Sequence, residues 1–145
     1  QKVKKASVSV EGKVVGEIDK GYCLLVGVHK ESTEVDAKYL AKKIAEARLF
    51  EDENEKLNLG LKDVGGSILS ISQFTLYADT KKGKRPSFTN AAGAEKANEL
   101  YNRFNDYLRE ENIKVETGIF QTMMEVNIIN DGPVTIIYEK LSSGN

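Results

Sequence analysis

One cysteine and one histidine in 145 residues remove most of the familiar catalytic repertoire. Cys23 has no second cysteine to pair with, so an intramolecular disulfide and any multi-cysteine metal site are excluded. It lies in the apolar run Gly21-Tyr22-Cys23-Leu24-Leu25-Val26-Gly27, where a buried structural thiol is expected. A Ser-His-Asp or Cys-His arrangement would have to rest on His29 alone, and a lone His at a strand end is ordinarily a solvated group. No HExxH motif, paired CxxC or P-loop occurs. Nothing therefore calls for a metal or a cofactor.

Other absences narrow the class further. With only two prolines and no long polar tract, the chain does not read as disordered. No apolar run approaches the roughly 20 residues of a membrane-spanning helix. No signal peptide is visible, although the chain opens at Gln1 rather than Met. The cytoplasm is the expected compartment, with no membrane partner. The formal net charge of −1 rules out a global basic field, so any contact with RNA must use a local patch.

What is present suits one domain over residues 1–145. A 40% hydrophobic and 30% charged composition is ordinary for a globular protein, and a chain of this length buries roughly 70% of its unfolded surface. Residues 3–18 read as a hairpin turning at Glu11-Gly12-Lys13. Residues 22–28 and 67–76 read as buried strands. Ser32 or Thr33 caps a helix running to about Phe50, and a second helix spans about 94–111, with Ala97, Leu100, Tyr101, Phe104 and Leu108 as its apolar stripe. Short strands follow near 114–120, 124–129 and 134–139. The tail Ser142-Ser143-Gly144-Asn145 is expected to fray. The class is α/β: mixed β-sheets with two helices against them, backed or closed by a second sheet.

Three segments place polar groups where chemistry is conceivable. Ser72, Gln73 and Thr75 interrupt an apolar strand near its end; they either bond to neighbouring backbone or line a site. Lys81, Lys82, Lys84 and Arg85 put four cations in five positions beside Gly83, as a solvated loop or a phosphate grip. Lys2, Lys4 and Lys5 form a smaller cluster. Gly132-Pro133, in Asn130-Asp131-Gly132-Pro133-Val134-Thr135, is a turn between strands.

Taken together, SQFTLYAD at 72–79, KGKRPSF at 82–88 and NDGPVT at 130–135 resemble the motifs of D-aminoacyl-tRNA deacylases. KVKKASVSVEGKVVGEI at 2–18 and RLFEDENEKLNLGLKDVGGSIL at 48–69 match as well, so the resemblance covers essentially the whole chain. Two departures stand out: Glu55 where glycine is common, and Gln121-Thr122 where Gly-Ala is common. The resemblance implies a three-layer β/β/α fold and a homodimer with two sites near the subunit interface. It implies hydrolysis of D-aminoacyl-tRNA, and of glycyl-tRNA such as glycine mischarged on tRNA(Ala). It makes Ser72, Gln73, Phe74 and Thr75 the lining of the catalytic pocket. It makes Gly132-Pro133 a cis pair that reaches into the partner's pocket and excludes L-amino acids. The resemblance also implies help from the 2′-hydroxyl of the terminal adenosine. Thr75 as nucleophile is the less favoured alternative, since no base is in evidence to activate it. Aminoacylated tRNA is the expected partner, gripped through Lys81, Lys82, Lys84 and Arg85, and DNA is not expected. The competing readings are a non-catalytic nucleic-acid-binding module on the same fold and a general esterase for activated esters.

Overall fold

The computed structural model describes residues 1–142. Strand β1 (Lys2–Val10) and strand β2 (Lys13–Ile18) form the expected hairpin. Glu11 and Gly12 both take positive φ, +49° and +80°, the two-residue turn whose twist suits paired strands. Strand β3 (Gly21–Val26) continues β2 along the same edge of β1, since Ala6↔Ile18 and Val3↔Gly21 fall in one register. β3 then leaves β1 and pairs in parallel with β6 (Ser67–Ser72). β7 (Val115–Thr117) joins the far edge of β6, and β8 (Glu125–Asn130) pairs antiparallel with β1. The result is one six-stranded mixed sheet that curls until β2 crosses β6 and β7. Gly16 permits that crossing: a Cβ there would stand 2.8 Å from the Thr117 carbonyl and 3.2 Å from the Leu69 side chain.

Two apolar clusters give the layers. Val3, Ala6, Val8, Ile18, Cys23, Leu69 and Ile71 fill the inside of the curled sheet. Burial there pushes the Cys23 thiol up, as a structural cysteine requires. On the other face, Tyr22 and Ile68 pack against two helices through Ala41, Ile44, Phe104 and Leu108. Helix α1 (Glu34–Ala45) is capped by Thr33, whose hydroxyl accepts from the Asp36 N–H while Asp36 accepts from the Thr33 N–H. Burial alone would raise the Asp36 carboxyl. Hydrogen bonds from Ser142 and Thr33 outweigh it and hold the group below the usual carboxylate range.

Several expectations need correcting, among them the fraying of Ser142, whose N–H bonds to Asp36, while 143–145 lie outside the described residues. Helix α1 stops at Ala45 rather than near Phe50, because Phe50 turns inward to stack on Tyr22 at 5.4 Å. Phe50–Glu51 and Leu57–Leu59 form a small separate hairpin, β4 and β5. A third helix, α2 (Leu61–Val64), went unseen; it is a single turn closed by Gly65 at φ +65°. The strand at 67–76 ends at Ser72. Residues 134–139 pair with no strand: beyond the bond from the Lys2 N–H to the Val134 carbonyl, they face β3 across a cavity of about 460 Å³. The longer helix, α3 (Ala94–Glu110), matches its expected span.

The departures at Glu55 and Gln121 acquire a structural meaning. Both residues sit at φ +61°, in the left-handed region where a side chain costs roughly 1–2 kcal/mol and glycine does not. Glu55→Gly and Gln121→Gly should therefore each stabilise the protein by about 1 kcal/mol, read as a higher urea midpoint at unchanged slope. A lower midpoint for both would show that the side chains make compensating contacts.

Candidate active site

Parallel pairing carries β3 and β6 side by side until Val26↔Ser72. The Gln73 N–H adds one more bond to the Val26 carbonyl at 2.7 Å. There the chain turns, and Phe74–Tyr77 form a single 3-10 turn instead of more strand. The Leu76 N–H closes on the Gln73 carbonyl at 3.3 Å and the Ala78 N–H on that of Thr75 at 3.1 Å. The N–H groups of Phe74 and Thr75 head this turn, where no acceptor within it reaches them.

Gly27 makes the turn possible. A Cβ on Gly27 would lie 3.1 Å from the Leu76 Cβ and 3.3 Å from the Gln73 carbonyl oxygen. The apolar pattern of 67–76 fits a strand well, but Leu76 and Tyr77 fold back over Gly27. The sequence did carry a signal for this, a glycine inside an otherwise apolar strand, which marks close approach of another backbone.

The turn leaves Phe74 and Thr75 exposed, with Ser72 and Gln73 half-buried. Gln73 Nε2 donates to Thr75 Oγ1 at 3.1 Å. An amide donor has no lone pair with which to take the hydroxyl proton. His29 gives no help: its Nδ1 accepts from the Glu31 N–H at 3.0 Å, and its ring lies edge-on to Tyr77 at 5.1 Å. Burial, then the nearby Glu139 carboxylate, push the Tyr77 phenol up. This place can offer two backbone donors, a hydroxyl and an amide, with no acid–base pair beside Thr75.

The basic loop hangs next to the turn. Asp79 and Ser87 exchange backbone bonds at 2.7 and 2.8 Å, and Phe74 meets Phe88 edge-to-face at 5.0 Å. Lys30 and Val28 bond Asn90 and Ala92, closing the clasp from the β3 side. Lys81, Lys82, Lys84 and Arg85 stand exposed at its tip, where Gly83 takes φ +70°. No group of three His, Cys, Asp or Glu side chains among the described residues could hold a metal.

Gly132–Pro133 lies elsewhere. The peptide is cis and exposed, just beyond β8. It is tied to the start of β1, where the Asp131 N–H donates to Lys2 O and the Lys2 N–H to Val134 O. Lys2 pairs with Tyr22, four residues before Val26 on β3. At about 3.3 Å per strand residue that is roughly 13 Å along the sheet from Ser72. Along the strands the two segments are thus offset, although residues 135–140, just past the pair, share a cavity with Leu76 and Tyr77 of the turn.

The profile of the D-Tyr-tRNA(Tyr) deacylase family matches residues 1–139. The chain belongs to that family. Proteins called D-aminoacyl-tRNA deacylase from Staphylococcus haemolyticus and Koribacter versatilis are 60% and 54% identical to it. Each aligns over 139 residues, 96% of this chain, with 92% and 93% of the relatives covered. A solved structure titled c-Myc DNA Unwinding Element Binding Protein superposes with a TM-score of 0.89 at 38% identity, over 97% of this chain and 95% of that one. A second, titled a probable eukaryotic D-amino acid tRNA deacylase, shares the fold at a TM-score of 0.75 and 15% identity, over 88% and 90%. No helix among the described residues is long and apolar enough to cross a membrane.

Gly27→Ala should loosen the Gln73–Tyr77 segment, since neither the Leu76 Cβ nor the Gln73 carbonyl is the free end of a side chain. The expected cost is about 1–2 kcal/mol, with faster amide hydrogen exchange at 73–77 than elsewhere. Unchanged stability and exchange would mean that the turn yields freely.

Proposed function

We propose that the protein hydrolyses the ester between a D-amino acid and tRNA, releasing the free amino acid and the tRNA before translation can use them. One observation carries this reading. In a chain of the D-Tyr-tRNA(Tyr) deacylase family, β6 ends in an exposed turn whose first N–H groups are unclaimed, with no protein base beside Thr75. Such donors suit the oxyanion formed when water attacks an ester carbonyl. Ser72, Gln73, Phe74 and Thr75 line the pocket, and the 2′-hydroxyl of the terminal adenosine assists the water. No metal or cofactor takes part.

Chirality is policed by Gly132–Pro133 from a second copy of the chain. Two features support this. The pair sits roughly 13 Å along the sheet from Ser72 of its own chain, and it is flanked by exposed apolar groups, Ile129 at 55% and Ile137 at 89% exposure. A homodimer would cover those groups and bring each pair to the other's turn. Backbone lent in this way obstructs an L side chain and leaves a D side chain free, so specificity comes from a clash with the wrong ligand. Lys81, Lys82, Lys84 and Arg85 grip tRNA phosphates beside the pocket. The protein works as a single domain over 1–145, in the cytoplasm.

A non-catalytic nucleic-acid-binding module is the second reading. The solved structure whose title names binding of a DNA unwinding element favours it, together with the exposed basic loop. Deacylation separates the two readings.

Purified protein should cleave D-tyrosyl-tRNA and glycyl-tRNA and spare L-tyrosyl-tRNA, because exclusion acts on the side chain and glycine has none. Binding of all three without cleavage would leave the binding module standing. Thr75→Ala should keep kcat within about tenfold, a loss of at most about 1.4 kcal/mol, whereas a terminal 2′-deoxyadenosine should slow cleavage far more. A dead Thr75→Ala enzyme that still binds tRNA would make Thr75 the nucleophile.

Neutralising Lys82 and Arg85 together should raise the Kd for tRNA and lower the log–log salt slope by roughly 2. An unchanged slope would move the contact to Lys4 and Lys5, which β1 leaves exposed; Lys2, grouped with them in the sequence, is buried with its ammonium over the Phe50 ring.

A further inference from the structure

One edge of β6 loses its partner before the strand ends. β7 runs beside it only from Ile68↔Val115 to Ser70↔Thr117. On the opposite edge β3 continues to Val26↔Ser72 and takes the Gln73 N–H as well. The last residues of β6, which deliver the turn, are therefore held along one side alone. At the point where β7 departs, the Tyr101 hydroxyl donates to the Ser70 carbonyl at 2.6 Å, reaching from α3 across the helix–sheet layer.

The surroundings of that bond are unlike the rest of the layer. Tyr101 is 4% exposed, and its ring lies 6.4 Å from Phe120. One helical turn later Asn105 is 1% exposed with its Oδ1 unpartnered, while the rest of its amide and the fully buried Ser70 hydroxyl border the Tyr101 phenol. Ile68, Phe104 and Leu108 fill the remainder. A phenylalanine at 101 would supply the same ring without burying a hydroxyl. Packing thus explains the ring, and the phenol oxygen needs a separate reason. That reason is at hand in the carbonyl it meets, two residues before Ser72 and three before Gln73.

We propose that Tyr101 is a positioning residue for the Ser72–Thr75 site: its hydroxyl replaces the missing strand neighbour, fixes the Ser70 carbonyl and sets the direction in which β6 delivers the Phe74 and Thr75 N–H groups. This rests on the deacylase reading of that site. Donors aimed at a developing oxyanion must hold their place to a fraction of an ångström, and misplacement by about 1 Å can cost roughly 100-fold in rate. Substrate binding through the basic loop does not depend on that alignment, so the effect falls on kcat and leaves KM alone.

The test compares wild-type protein, Tyr101→Phe and Ile113→Val on D-tyrosyl-tRNA, with Tm and amide hydrogen exchange measured on all three. Ile113 lies in the same helix-side cluster, 5% exposed, and serves as a core substitution with no bond to β6. Tyr101→Phe should lower kcat by roughly 10- to 100-fold with KM within about twofold, and exchange of the bonded Gln73 and Leu76 N–H groups should quicken. Ile113→Val should lower Tm and keep kcat. The proposal is overturned if Tyr101→Phe keeps kcat within about twofold of wild type, or if Ile113→Val loses as much kcat as Tyr101→Phe. If wild-type protein leaves D-tyrosyl-tRNA intact, the deacylase reading fails first. Exchange then decides the positioning role: unchanged protection of the Gln73 and Leu76 N–H groups in Tyr101→Phe sinks it, and faster exchange upholds it.

Discussion

Parallel pairing of β3 with β6 is the constraint from which the rest follows. The pair is buried on both faces, by Cys23, Leu69 and Ile71 inside the curled sheet and by Tyr22 and Ile68 beneath the helices. Two parallel strands cannot be joined by a tight turn. Helix α1, the β4–β5 hairpin and α2 supply the crossover, and Ala41, Ile44, Phe50 and Leu61 from them share one apolar cluster with Tyr22 and Ile68. Ligand sites in such sheets gather beyond the carboxyl ends of the strands, where backbone turns outward with groups unclaimed by the ladder. Here both carboxyl ends fall together, at Val26–Gly27 and Ser72–Gln73.

The parts of this fold legible in the sequence are those fixed by local chemistry. Glu11-Gly12 between alternating apolar runs specifies a two-residue turn, and Thr33 with Asp36 specifies the start of α1. The apolar stripe of α3 recurs at helical spacing from Ala97 to Leu108, with Asn105 the polar residue buried among it. What escaped is set by contacts distant in sequence. Nothing near Phe50 says that Tyr22 will draw it out of helical register, and nothing within 67–76 says that Gly27 lies opposite. Residues 134–139 have the composition of a strand, but a strand is defined by its neighbour, and β3 lies across a cavity from them. The candidate site follows the same division. Resemblance singles out Ser72, Gln73, Phe74, Thr75 and Gly132–Pro133, whereas the exposed turn and the offset of the two motifs along the sheet needed the topology.

In the homodimer proposed above, that offset would give association a chemical role. A site divided between the turn of one chain and the Gly-Pro pair of another is incomplete in a monomer. The exposed apolar groups flanking the pair, Ile129 and Ile137, favour the association that would complete it. Under that proposal stereochemical control and dimerisation would be one property, and weakening either would weaken both. The basic loop stands apart from this coupling, pinned to the turn by the Asp79–Ser87 bridge and the Phe74–Phe88 contact of its own chain.

A site without a side-chain base is consistent with the reaction proposed for it. An aminoacyl ester is already activated, and a single well-placed oxyanion donor is worth about 3 kcal/mol. Two such donors, with the substrate's own hydroxyl to orient water, need no histidine. Backbone donors also distinguish little between one amino acid and another, because every aminoacyl ester presents the same carbonyl. An enzyme of this kind must draw its selectivity from where the side chain projects rather than from what it is. A backbone obstacle tests that one property. The same arrangement would accept many D-amino acids and would have no means of refusing glycine.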